Sequence, residues 1–250
     1  MPEKVALLEA LDSDVTIVLH STRELLSRGA EQFLVELVER CRPRVIVEGP
    51  TFNFGRGREG SVDTLREFAP RLGFELRVVD ELHSNGIANK PGINSSAIRK
   101  ALQAGRLADA NAMLGRAYRI SGTVGHGDNR GATLGYPTAN LGDIPHLLPH
   151  EAVYAAVAQF ADGSLHLAAV NIGPQPTFEQ EETRVEAYVL DYSGDLRGRQ
   201  VGVHLLAKIR EQTRFGAVDE LTAQLGRDVE RTRSHAPELE RLRSGVLVPL

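Results

Sequence analysis

The sequence has a single cysteine, Cys41, so no internal disulfide framework holds the fold together. Cys41 lies in a helical-looking run, where a thiol reads as a small buried hydrophobe. No apolar run approaches the ~18 residues of a membrane helix, and the chain does not open on a basic segment followed by an apolar one. Both absences point to a cytoplasmic protein with no membrane partner. Basic residues are also short, with 29 lysines and arginines against 33 carboxylates and a formal charge of -4. Without a long basic block, nucleic acid is not expected as a partner, and any phosphate site must be local.

What is present is ordinary globular material, 42% hydrophobic and 25% charged over 250 residues, a length that suits two domains. Residues 1 to about 115 alternate strand and helix signals. "VTIVLH" (15–20) reads as a buried strand and "AEQFLVELVERC" (30–41) as an amphipathic helix. "RVIVEGP" (44–50) reads as a second strand, "VDTLREFAPRLG" as a helix stopped by Gly73, and "FELRVVD" (74–80) as a third strand. That alternation predicts an α/β domain with a parallel sheet.

Beyond about residue 118 the period becomes two, in "YRISGTV", "AVYAAVAQF", "LHLAAVNI", "TRVEAYVLDY" and "RQVGVHLLAKI". Asp162-Gly163 and Ser193-Gly194 fall between such runs and read as hairpin turns. Short antiparallel strands without intervening helices predict a small barrel or sandwich. In the last stretch Leu221, Leu225 and Val229 form one apolar helical stripe, expected to pack on that barrel.

Three features of this second half could carry chemistry. Gly122, Gly125, Gly127, Gly131 and Gly135 punctuate "SGTVGHGDNRGATLG", which suits a flap whose backbone N–H groups close over phosphate, or simply a glycine-rich loop. It is not a P-loop, lacking the Gly-Lys-Ser/Thr ending. Thr138 and Asn140, two apart on a strand, share a side. They could lend neutral oxygens to a magnesium ion held mainly by nucleotide phosphates, or form a polar strand edge. Pro137 keeps Tyr136 extended at the entry to that strand. Glu186 falls beside Tyr188, opposite Val185, Ala187 and Val189. It is either a solvated mid-strand carboxylate or the base that a kinase acting on an alcohol needs.

The order "GHGDNRGATLGYPTANL", "VYAAV", "NIGPQPTF", "VEAYVLDY", "DLRG" and "IREQTRF" resembles the riboflavin kinase domain of bacterial bifunctional riboflavin kinase/FAD synthetases. The resemblance implies a six-stranded barrel, here residues 116–250 with a C-terminal helix, that moves the γ-phosphate of ATP to the 5′-hydroxyl of riboflavin to give FMN. It implies that Thr138 and Asn140 bind Mg-ATP under a flap holding Gly125, Gly127, Gly131 and Gly135, and that Glu186 is the base. Ala132, Ala152 and Arg197 depart from the residues usual at their positions, arginine, glycine and tyrosine respectively.

The resemblance continues upstream, where "VIVEGPTFNFGRGREG" and "INSSAIRKALQAG" look like the later half of the family's Rossmann-like adenylyltransferase, here residues 1–115. Ser95, Ser96 and Arg99 would then open a helix suited to a triphosphate, although Ser95 could equally be an ordinary N-cap. The family's histidine-bearing loop, of the form Gly-x-Phe-Asp-Gly-x-His-x-Gly-His, has no counterpart in this sequence. His20 and His83 lie outside any such motif, and Asn94 and Thr51 stand where serine and aspartate are usual. His146 and His150, four apart but separated by Pro149, read as loop residues. The expectation is a truncated first module, FMN adenylylation absent or very weak, and self-association through an unpaired sheet edge. Two alternatives remain: both activities, if an upstream start or a separate chain supplies the missing half, or a non-catalytic flavin- or nucleotide-binding regulator.

Overall fold

The computed structural model describes residues 2–82, 92–127, 130–175 and 180–244. His83, Asp128 and Asn129 of the glycine-rich stretch, and Pro176 and Thr177 of the Asn-Ile-Gly-x-x-Pro-Thr motif lie outside the described residues. The chain divides into two compact units, Met1–Glu81 and Leu82–Leu250.

The first unit holds helices α1 (Pro2–Glu9), α2 (Arg23–Ser27) and α3 (Ala30–Cys41), then strand β1 (Val45–Glu48) and the short strands β2 (Asn53–Phe54) and β3 (Gly60–Ser61). Helix α4 (Val62–Leu72) and strand β4 (Glu75–Val78) complete it. β1 and β4 pair in parallel, Val45 opposite Glu75 through Glu48 opposite Val78. Helix α4 starts at a capping box between Ser61 and Thr64 and stops at Gly73, whose φ of 77° is the left-handed conformation glycine adopts without strain. Its apolar side (Leu65, Phe68 and Ala69) meets Ala30 and Leu34 of α3 and Phe54 and Phe74 in one core.

Two expectations fail in this unit. Residues 15–20 form no strand, and Val15 and Ile17 are 74% and 64% exposed, so the described parallel sheet has two strands. The run is apolar enough for a strand, but a strand needs a hydrogen-bonded neighbour, and none is provided among the described residues. Cys41, expected to be buried, is exposed at the end of α3.

The second unit begins with helices α5 (Ser95–Gln103) and α6 (Leu107–Leu114). Six strands follow: β5 (Tyr118–Gly125), β6 (Ala139–Gly142), β7 (Ala152–Phe160), β8 (Leu165–Gln175), β9 (Gln180–Val189) and β10 (Gln200–Glu211). They close a barrel in the order β10-β5-β6-β9-β8-β7, every pairing antiparallel. A short helix, α7 (Arg130–Thr133), lies between β5 and β6, and α8 (Val218–Arg233) and α9 (Ala236–Arg243) end the described chain. Two register shifts in β10, between Leu205 and Ala207 and between Lys208 and Arg210, bend it along β7, as bulges do where a sheet curls.

Alternation fills the barrel: Ile120, Val124, Leu141, Tyr154, Val170, Ile172, Val185, Ala187 and Leu205 point inward and are buried. Burial pushes the Tyr154 hydroxyl up to about 12, so it stays protonated and donates to the carbonyl of His150. β7 is buried on both faces, because Val157 on its outer side joins Leu206, Ala117 and Leu239 of α9 in a second cluster. α5 and α6 pack on the barrel through Ala101, Leu102, Leu107 and Ala110. The compact division therefore falls between Glu81 and Leu82, ahead of the border expected at 115/116, since these two helices share the barrel's core. Asn111 ties them down, its amide donating to Leu205 O (2.9 Å) and its oxygen accepting from Tyr118 N (2.8 Å).

The Asp162-Gly163 turn forms as expected, with Gly163 at φ 84° between the paired strands β7 and β8. Ser193-Gly194 is not a hairpin. β9 and β10 are not neighbours in the barrel, so the segment is a crossover. At Arg197 the guanidinium grips Asp195 through both oxygens (Nε–Oδ1 2.9 Å, Nη2–Oδ2 2.8 Å) and holds that carboxyl down to about 2.

Candidate functional site

Strand register brings the separated sequence signals together. Asn140 on β6 lies opposite Gly125 on β5 and opposite Glu186 on β9, and Glu186 lies opposite Asn171 on β8. One row across the barrel therefore reads Gly125, Asn140, Glu186, Asn171. The flanking positions Ala139, Leu141, Val185, Ala187 and Ile172 are buried in the core, which puts this row on the outer face. Direct cross-strand neighbours carry Cβ atoms ~4.5–5.5 Å apart, so Asn140 and Asn171 flank the carboxylate closely. Thr138, two residues before Asn140, is half-buried like it.

The glycine stretch is shorter than a five-glycine flap. Gly122 and Gly125 belong to β5, and a Cβ at Gly122 would collide with the carbonyl of Gly142 on β6. Gly127, Gly131 and Gly135 form the loop proper. A side chain at Gly127 would overlap the Asn140 amide, and one at Gly131 would overlap the Tyr136 carbonyl and come within 3.6 Å of Thr138 Cγ2. Gly135, at φ 83°, turns the chain out of α7 toward Tyr136 and Pro137. The loop thus lies directly against the two residues that the sequence paired with it.

Next to the loop, the rings of Tyr136 and Tyr188 meet edge to face, centroids 5.4 Å apart. The Tyr136 hydroxyl stands 3.5 Å from where a Cβ at Gly226 would sit, an ordinary contact distance, so α8 closes this flank. Helix α8 packs on the barrel with Leu221, Leu225 and Val229 only half-buried; its buried residues are Asp228 and Thr232. Asp228 accepts from Arg210 of β10 (Nε 3.0 Å, Nη2 2.8 Å) and from Gln224 (2.8 Å). Hydropathy periodicity misses this buried pair, because it scores charged residues as surface.

The row also contains a residue the sequence motifs did not single out by role. Asn171 Oδ1 accepts from Gln212 Nε2 at 2.9 Å, and the same nitrogen reaches Ile172 O at 3.2 Å. Ser95, Ser96 and Arg99 lie elsewhere, exposed on the first turns of α5, and share no strand or register with the Glu186 row. The N-cap of α5 is Asn94, whose Oδ1 accepts from Ala97 N (2.9 Å), so Ser95 is not the cap. Arg99 Nη2 reaches Ser96 Oγ at 3.4 Å. His20 is exposed outside any helix or strand. His146 Nδ1 accepts from Ser121 N (3.3 Å) and His150 Nε2 meets Glu211 (3.1 Å), both from the loop between β6 and β7. Among the described residues no helix is long and apolar enough to cross a membrane.

A closed antiparallel barrel with this polar row on its outer face, joined to an α/β unit, defines the class. Residues 114–236 match the family model described as riboflavin kinase, and residues 1–90 match that described as FAD synthetase. A bifunctional riboflavin kinase/FMN adenylyltransferase of Escherichia coli K12 is 36% identical over 228 residues, covering 90% of this chain and 71% of its own length. The protein of that description from Listeria monocytogenes is 30% identical over 242 residues, covering 96% and 75%. A crystal structure titled as a macrolide-efflux protein from Streptococcus pneumoniae superposes with a TM-score of 0.80 at 29% identity, over 93% of this chain and 74% of that one. The chain belongs to the family of bifunctional riboflavin kinase/FMN adenylyltransferases.

Proposed function

We propose that this protein is a riboflavin kinase, moving the γ-phosphoryl group of ATP to the 5′-hydroxyl of riboflavin and releasing ADP and FMN. The observation that carries the reading is the register that sets Asn140 beside Glu186, with Thr138 just ahead of the same strand and the glycine loop against Asn140 and Thr138. The donor set suits magnesium: a hydroxyl and an amide oxygen, both neutral and half-buried, are few enough to leave the rest of the shell to phosphates and water. Thr138 and Asn140 would hold the ion, which when bound neutralises charge on the β- and γ-phosphates. Glu186 orients the hydroxyl and takes its proton as the oxygen–phosphorus bond forms. Backbone N–H groups of the loop around Gly127 and Gly131 close over the phosphates and exclude water.

Incubating the purified protein with riboflavin, ATP and magnesium and separating the flavins by chromatography tests this directly. FMN is the expected product, and EDTA abolishes it. Folded protein that makes no FMN under these conditions would be a binding protein rather than a kinase. Gly127→Ala probes the loop: its methyl would collide with the Asn140 side chain. An increase of about tenfold in KM for ATP, equivalent to ~1.4 kcal/mol, is expected with little change in Tm. An unchanged KM would separate the loop from the nucleotide.

A second activity, adenylylation of FMN, is favoured by the match of residues 1–90 to the FAD synthetase model. The expectation that this activity is absent draws no support from that match. The same chromatogram decides it, since FAD appears beside FMN only if adenylyl transfer occurs.

A further inference from the structure

The Asn-Ile-Gly tripeptide at 171–173 is prominent in the sequence, yet the kinase reading gives it no part. In the structure all three residues meet one side chain. Gln212 Nε2 donates to Asn171 Oδ1 (2.9 Å) and to Ile172 O (3.2 Å), and Gly173 stands at φ 134°, where a Cβ would come within 2.6 Å of that same nitrogen. Asparagine supplies an acceptor, isoleucine a carbonyl, and glycine the space for Gln212 to reach both.

The direction of approach matters. Gln212 follows β10, and β10 runs beside β7, so the amide arrives at β8 from its β7 side. The oxygen of Asn171 is taken by Gln212, so the end that remains to serve a neighbour is the donor Nδ2, and Glu186 is its register partner on β9. We infer that Asn171, locked by Gln212, is a positioning residue that presents an N–H donor to the Glu186 carboxylate. This rests on the reading of Glu186 as the base. The arrangement fixes the carboxylate over the hydroxyl, in the orientation from which it can take the proton.

The test compares Asn171→Leu and Gln212→Leu with the unaltered full chain, measuring kcat per folded enzyme and KM for both substrates. Positioning predicts that Asn171→Leu lowers kcat by about tenfold with KM nearly unchanged. Gln212→Leu, which leaves the strand residue in place, lowers kcat in the same way by less. A kcat per folded enzyme that is unchanged in both variants, or a loss that falls in KM instead, would overturn the inference. Glu186→Gln separates the two ideas. If it retains turnover the base reading fails, whereas a dead Glu186→Gln beside an unchanged kcat in Asn171→Leu and Gln212→Leu defeats the positioning role alone.

Discussion

Glu186→Gln is expected to lower kcat for FMN formation by about 10²–10⁴-fold, the range associated with loss of a general base. Glutamine keeps the size of the side chain and its ability to accept a hydrogen bond, so riboflavin is still oriented, but it takes no proton at neutral pH. The position is half-buried on the outer face of β9, and its inward neighbours Val185 and Ala187 carry the packing. The variant should therefore fold with a Tm within a few degrees of the parent. KM for ATP should stay within a factor of a few, because Thr138, Asn140 and the glycine loop are untouched. Residual turnover within about tenfold of the parent would make Glu186 a spectator and leave proton removal to water. In that case the phosphoryl group would be handled by the loop and the metal ligands alone.

The parts of this arrangement that could be read in advance are those governed by local rules. Period-two alternation marks five of the six barrel strands, all but the four-residue β6, because inward residues such as Val185 and Ala187 are apolar and outward ones such as Glu186 are polar. The outward placement of Asn140 follows from the same alternation, whereas Thr138, read with it as a strand residue, lies just ahead of β6. Strand order does not follow from alternation, because turn residues act locally while closure of the barrel is global. Ser193-Gly194 has turn chemistry, but the chain there crosses from β9 to β10 and not into a neighbour. The run at 15–20 shows the reverse problem, since a strand-like composition gives a strand only where another edge receives it.

Cross-strand neighbours were equally hidden. Asn140, Glu186 and Asn171 are separated by 46 and 15 positions in the sequence, and only the register of β6, β8 and β9 places them in a row. Recognition of the family motif brought Asn140 and Glu186 to one site without geometry. Asn171 and Gln212 needed the structure, since nothing in the residue types says that an amide after β10 reaches over to β8.

The same limit applies to the largest stability effect expected in the molecule. Asp228→Ala should destabilise the barrel unit by about 3–5 kcal/mol, the usual cost of removing one partner from a buried ion pair. Asp228 is 2% exposed, and its partner Arg210 is 17% exposed in its side chain, so neither charge is well hydrated. Removing the carboxylate strands the guanidinium between the barrel and α8, near the Phe215 ring, and leaves the Gln224 amide without its acceptor. A fall in Tm of about 10 °C or more should follow for a unit of this size. Because α8 also closes the flank beside Tyr136, kinase activity should become heat-labile in parallel. A double replacement, Arg210→Met with Asp228→Leu, separates the cost of a stranded charge from the worth of the pair. If stranding is the cause, the apolar pair recovers most of the lost Tm, since well-packed hydrophobic residues often match a buried ion pair. If Tm stays low in the double variant, the bidentate geometry itself holds α8 against β10, and the pair is what keeps the helix over the site.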